Sequence, residues 1–137
     1  MPPSKPPIQK VLAARMKAAR KALGLSQVGV GVGMGFPEDT SSARVNRWEL
    51  AINKTSLEHA EQVAEVLKVP FPALISRDDR LAGVITGFTM LPKARQDEVI
   101  ALIERSLGAE QAEEVRQRLG KSTAPAKGSK KPGTGRI

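Results

Sequence analysis

Few kinds of side chain in this 137-residue sequence could carry out chemistry. Cysteine is absent and His59 is the single histidine. That excludes disulfides, thiolate zinc sites and a cysteine nucleophile, and leaves a Ser-His-Asp centre only His59 to use. His59 stands among acids in a helical stretch with no ligand partner, so it reads as a surface or packing residue. The run 28–36, VGVGVGMGF, is glycine-rich enough to suggest a phosphate-binding loop. The GxGxxG spacing fails at Met34 and again at Phe36, however, and no GK[ST] follows. No catalytic group, metal or cofactor is therefore expected, and the chain does not read as an enzyme. What remains is the donor and acceptor chemistry of the Arg, Asn and Ser side chains. Arginine matches the two acceptors of a guanine edge, asparagine the donor–acceptor pair of adenine, and serine accepts either.

The charge balance points the same way. Lys and Arg number 22 against 14 Asp and Glu, a formal net charge of +8. The isoelectric point near 10.2 makes nucleic acid the first partner to test. The excess sits at the ends: residues 1–23 carry +6, 24–76 carry −2, 77–120 carry −1 and 121–137 carry +5. The last segment, KSTAPAKGSKKPGTGRI, has almost nothing to bury and is expected to be a disordered basic tail. Residues 1–7, MPPSKPP, form a Pro-rich arm expected to be extended. No apolar run approaches the ~18–20 residues of a membrane span, and the N-terminus lacks a signal-peptide core. The expectation is a soluble cytoplasmic protein that does not engage a membrane.

Helical periodicity supplies the elements that must position these groups. Ile8, Leu12, Met16, Ala19 and Leu23 mark a helix over 8–23, stopped by Gly24. Lys10, Lys17 and Lys21 fall within about 40° of one another on the opposite face. Leu57, Ala60, Val63, Ala64 and Leu67 mark another helix, capped by Thr55 with Glu58 or by Ser56, and ended by Pro70. Residues 71–75 form a short turn of helix. Asp78 or Asp79 caps a helix carrying Leu81, Val84, Ile85 and Phe88. Pro92 opens one carrying Val99, Ile100, Leu102, Ile103 and Leu107, and a last helix spans 110–119. Residues 28–36, taken alone, read as a strand or a loop: apolar residues alternate, and each glycine costs a helix roughly 1 kcal/mol. Thr40, Ser41 and Ser42 are competent N-caps for a helix over roughly 41–50, with Val45 and Trp48 facing inward.

The order of these signals carries a resemblance. Arg20-x-x-Leu23-Gly24-Leu25-Ser26-Gln27 leads into the glycine run, Val45-x-x-Trp48-Glu49 follows, and Val69-Pro70 comes after the next helix. Over about residues 8–76 this resembles the lambda-repressor-like helix-turn-helix family (Cro/repressor, XRE type). The resemblance implies an all-α fold: a five-helix helix-turn-helix domain at 8–77, a C-terminal helical extension at 78–120 and the tail at 121–137. It also implies that Ser26 caps a second helix at about 26–34, despite its glycines. Gly31 would then sit where the second and third helices approach closely, and Gly35 would turn the chain. Two departures stand out. The stretch from Gly35 to Glu49 is about four residues longer than the family spacing, with the surplus in 36–41, which is expected to form a loop. Where the family has a basic residue and then Gly, this chain has Leu50 and Ala51, and Ala51 is expected to resist a left-handed turn.

By position in the motif, Ser42, Ala43 and Arg47 resemble the base-contacting set. Arg44 and Asn46 share the outer face. Glu49 resembles the family glutamate that pairs with an arginine of the first helix, here Arg20. Arg20, Ser26, Gln27, Asn53 and Lys54 are the candidate phosphate contacts, which position a protein without reading sequence. The resemblance implies a non-enzymatic bacterial or phage transcriptional regulator, of repressor type, binding double-stranded DNA as a homodimer. A second reading is an antitoxin or adaptor that engages a protein partner through 78–119. A third is a nucleoid-coating protein in which the basic ends do most of the binding.

Overall fold

A computed structural model describes residues 4–120, and among these there are eight helices and no strand. They are α1 (Ile8–Ala22), α2 (Gln27–Gly33), α3 (Glu38–Glu49), α4 (Leu57–Leu67), α5 (Phe71–Leu74), α6 (Asp79–Met90), α7 (Lys93–Leu107) and α8 (Ala109–Leu119). The tail at 121–137 and the first three residues of the arm lie outside the described residues. The chain divides into two compact units, Met1–Met90 and Leu91–Ile137. The division falls after α6 rather than at 77/78, because α6 packs on α5.

The core of the first unit joins α1 (Leu12, Met16), α2 (Val30), α3 (Val45, Trp48), α4 (Ala60, Val63, Ala64, Leu67) and α5 (Leu74). Each large aliphatic buried in this way contributes about 1.5–3 kcal/mol. The glycine run is helical, which corrects its local reading as strand or loop. Tertiary contact overrides propensity here: Val30 is fully buried, and the Ser26 hydroxyl accepts the Gly29 N–H at 2.9 Å to cap α2. A Cβ on Gly31 would overlap the Cβ and Oγ of Ser41 and lie 2.9 Å from its Cα. That hydrogen atom sets how closely α2 and α3 pack.

α3 begins earlier than the sequence suggests. The helix starts at Glu38 with Pro37 as N-cap, so the surplus residues form an extra first turn and not a loop. Thr40, Ser41 and Ser42 are therefore inside the helix and cap nothing. Ser41 is fully buried and its hydroxyl donates back to the Pro37 carbonyl at 2.7 Å. Pro37 pre-sets the backbone, and Glu38 and Asp39 complement the positive end of the helix dipole.

The first four helices end alike. A left-handed residue follows each one: Gly24, Gly35, Ala51 and Lys68. Its N–H returns to the carbonyl three residues back, and the next N–H reaches five residues back. This double bond pattern satisfies the last carbonyls and reverses the chain. Ala51 adopts φ +56°, contrary to the expectation that it would resist. Its N–H bonds to the Trp48 carbonyl at 3.0 Å and the Ile52 N–H to Arg47 at 2.9 Å. Those two bonds outweigh the Cβ clash. Of the alternative caps for α4, Ser56 is the one used, accepting the His59 N–H at 3.1 Å. Asp78 accepts the N–H groups of Arg80 and Leu81 at the start of α6.

In the second unit α7 and α8 pack on each other across the Gly108 turn, and Arg116 bonds Glu104 at 3.0 Å. Ala112 is the one buried residue described in this hairpin.

Candidate nucleic-acid interface

α3 has two faces. Ser41, Val45 and Trp48 point into the core, and Ser42, Ala43, Arg44, Asn46 and Arg47 are exposed. The spacing of the buried set, four and then three, leaves a polar face along the helix. Arg44 is not free on that face: its guanidinium lies over the Phe36 ring, 4.3 Å from the centroid. Arg47 is exposed in the last turn of α3.

A buried ion pair ties this helix to α1. Arg20 Nε donates to Glu49 Oε2 at 2.6 Å and its Nη2 to Oε1 at 3.1 Å. The side chains are 13% and 3% exposed, so this is an interior, fork-to-fork contact. Arg20 Nη1 also donates to the Leu25 carbonyl at 2.9 Å. Three of the five guanidinium donors are thus engaged within the described residues. The Glu49 hydrogen bonds push the Arg20 pKa above its ordinary value, against the opposing effect of burial. Arg20 therefore stays charged wherever the protein is folded.

The first residue of α2 completes the arrangement. Gln27 Nε2 donates to Glu49 Oε1 and to Asn46 Oδ1, each at 3.1 Å. The Ser42 hydroxyl lies 3.4 Å from Gln27 Oε1, longer than a normal bond between these atoms. Gln27, Asn46 and Glu49 thus meet, with Ser42 beside them, where the start of α2 crosses α3, whereas the Ser26 hydroxyl is turned to the Gly29 N–H. Asn53 and Lys54 are exposed in the loop after α3, apart from this network.

A helix-turn-helix family profile matches residues 16–74. The crystal structure of the transcriptional regulator BswR superposes with a TM-score of 0.64 at 34% identity, over 68% of this chain and 92% of that one. The chain belongs to the XRE-type helix-turn-helix family. No curated protein matches it by sequence at a significant level. In this helix-turn-helix DNA-binding fold α2 and α3 are the paired helices, Gly35 stands in the turn between them, and α3 is the second member.

Three contacts that shape the helix-turn-helix were not visible in the sequence. Phe36, Trp48 and His59 form an aromatic cluster, with Phe36 and His59 edge-on at 5.6 Å and Trp48 and His59 at 5.3 Å. His59 thus packs the start of α4 against the turn and α3. Gln9 clips the loop after α3: its Oε1 accepts the Thr55 N–H at 3.0 Å and its Nε2 donates to the Thr55 carbonyl at 3.4 Å. Thr55 is buried, so its backbone needs such partners. Arg44 over Phe36 is the third. A glutamine 46 residues away carries no local signal, whereas Pro37-Glu38-Asp39 does carry one for the early start of α3. No helix among the described residues is long and apolar enough to cross a membrane, and no group of acidic or histidine side chains among them could hold a metal.

Proposed function

We propose that the protein is a sequence-specific, non-enzymatic transcriptional regulator of repressor type that lays α3 in the major groove of double-stranded DNA. The observation that carries this reading is the division of α3 into a core face and the exposed set Ser42, Ala43, Arg44, Asn46 and Arg47. In helix-turn-helix proteins the second helix enters the groove while the first crosses the backbone. The likeness to a protein described as a transcriptional regulator supports it further. Arg47, exposed at one end of the face, reads guanine, and Ala43 meets a thymine methyl. Ser26 and Gln27 at the start of α2, Gln27 through its backbone N–H because both side-chain donors are engaged, meet phosphates together with Asn53 and Lys54 after α3. The two donors that Arg20 keeps add to them, while its bond to Glu49 fixes the angle between α1 and α3. The basic excess of 1–23 and 121–137 supplies salt-dependent attraction to any DNA.

The protein acts as a homodimer in this reading, joined within 78–119. The exposed aliphatics of α7 and α8 favour it: Ile100, Leu102, Ile103, Val115 and Leu119 are each at least 44% exposed. The α7–α8 hairpin runs only from Lys93 to Leu119, and so short a helical pair without disulfide or metal commonly needs oligomerisation to be stable. The same surface also favours the second reading, an adaptor or antitoxin that binds a different protein there.

Selection from random DNA at a stated salt concentration tests the proposal. A motif built of two half-sites about one helical turn apart is the expected result. Recovery of unenriched sequence overturns it.

A further inference from the structure

The extra first turn of α3 faces the same way as its exposed set. Asp39 precedes Ala43 by four residues and Asn46 by seven, so its side chain leaves the helix axis within about 40° of both. Ser41, Val45 and Trp48, the core face, lie on the other side. Asp39 is exposed, and its carboxylate has no ion pair or hydrogen bond among the described residues. Ser42 and Ala43, its neighbours one turn on, carry no charge to offset it. Arg44 lies over Phe36, and Arg47 is about 12 Å farther along the axis. The helix dipole favours an acid anywhere in this first turn, and Glu38 supplies one. It does not require a second on the face that carries Ala43 and Asn46.

A carboxylate can only accept hydrogen bonds. In the major groove it is opposed by guanine O6 and N7, by thymine O4 and by adenine N7, all of them acceptors. Cytosine alone presents a donor, its N4 amino group, with no acceptor of its own beside it. We infer that Asp39 is a specificity-determining residue that accepts a hydrogen bond from cytosine N4. The turn in surplus over the family spacing thereby adds to the site a C·G pair for which that spacing provides no side chain. The inference rests on the proposed placement of α3 in the major groove. Asp39 contributes selectivity and not general affinity: it rejects bases that offer only acceptors, and the phosphates repel it on DNA of any sequence.

The test is random-site selection with the full chain and three variants at one salt concentration. Asp39→Ala identifies the base pair, as the position whose preference disappears while the rest of the motif persists. At that position the wild type is expected to favour cytosine by at least about fivefold over each other base. It is expected to differ from the position altered by Arg47→Ala. Asp39→Asn keeps the shape of the side chain and adds a donor, so it is expected to exchange cytosine for adenine there. Asp39→Ala is also expected to bind scrambled DNA about twofold more tightly, because one repelled charge is gone. Melting curves show that each variant is folded. A base other than cytosine favoured by the wild type, no position altered by either Asp39 variant, or the same position altered by Arg47→Ala each overturns the inference while the selected motif still stands. Weaker binding of Asp39→Ala to scrambled DNA overturns it too. Absence of any motif overturns the sequence-specific reading itself, and the inference with it.

Discussion

At Gly31 the side chain is a hydrogen atom, and the third helix packs directly on it. Ser41 is its neighbour, fully buried, on a helix whose backbone cannot retreat without moving Val45 and Trp48. Gly31→Ala is therefore expected to lower the melting temperature by about 10 °C or more, from an overpacking cost of about 2–3 kcal/mol. Ala51 presents the reverse case. It holds φ +56°, a conformation that costs a side chain about 1–2 kcal/mol. Ala51→Gly is expected to raise stability by about 1 kcal/mol, seen as a higher urea midpoint at unchanged slope. The close approach at Gly31 was legible once the family order was recognised, because a small residue is needed there. The conformation of Ala51 was not legible, because local preference favours the opposite and the hydrogen bonds that override it belong to the finished helix end.

At the scale of elements, α1, α2 and α3 are held by one buried cluster. Arg20 and Glu49 are 29 residues apart, and no local period connects them. The family pattern brought them together in the sequence, whereas the involvement of Gln27 and Asn46 needed the geometry. Glu49→Ala leaves the Arg20 charge and the Gln27 amide without their acceptor. It is expected to cost about 3 kcal/mol in chemical denaturation. Adding Arg20→Ala to that variant is expected to cost little more, because the unpaired charge is then gone. Helix existence was read well from periodicity in α1, α4, α6, α7 and α8. The start of α3 is masked in the sequence by three consecutive hydroxyl residues that are each competent caps, whereas the helix starts after a proline followed by two acids. The glycines of α2 hid a helix whose stability comes from Val30 in the core and Ser26 at the cap.

At the scale of the whole molecule, charge is unevenly distributed along the chain. The ends of the chain carry the positive excess, and the middle and the C-terminal helices carry a slight negative balance. Most charges of the α7–α8 hairpin are paired within it, Lys93 with Asp97, Arg95 with Glu98, Arg116 with Glu104 and Glu113, and Arg118 with Glu114. Its large aliphatics stay exposed. Ile103→Glu on that face is expected to convert a dimer to a monomer in sedimentation while leaving the melting of the first unit unchanged. A monomer already present in the wild type contradicts the homodimer.

The central claim is that a few side chains on α3 read sequence, while the basic ends attract DNA of any sequence. Affinities of the wild type and of Arg47→Ala for the selected site and for scrambled DNA, at one salt concentration, test it most directly. The wild type is expected to prefer the selected site by about a thousandfold or more. Arg47→Ala is expected to lose about 1–3 kcal/mol on that site and almost nothing on scrambled DNA. An equal loss on both, or a wild type that binds both alike, would contradict it.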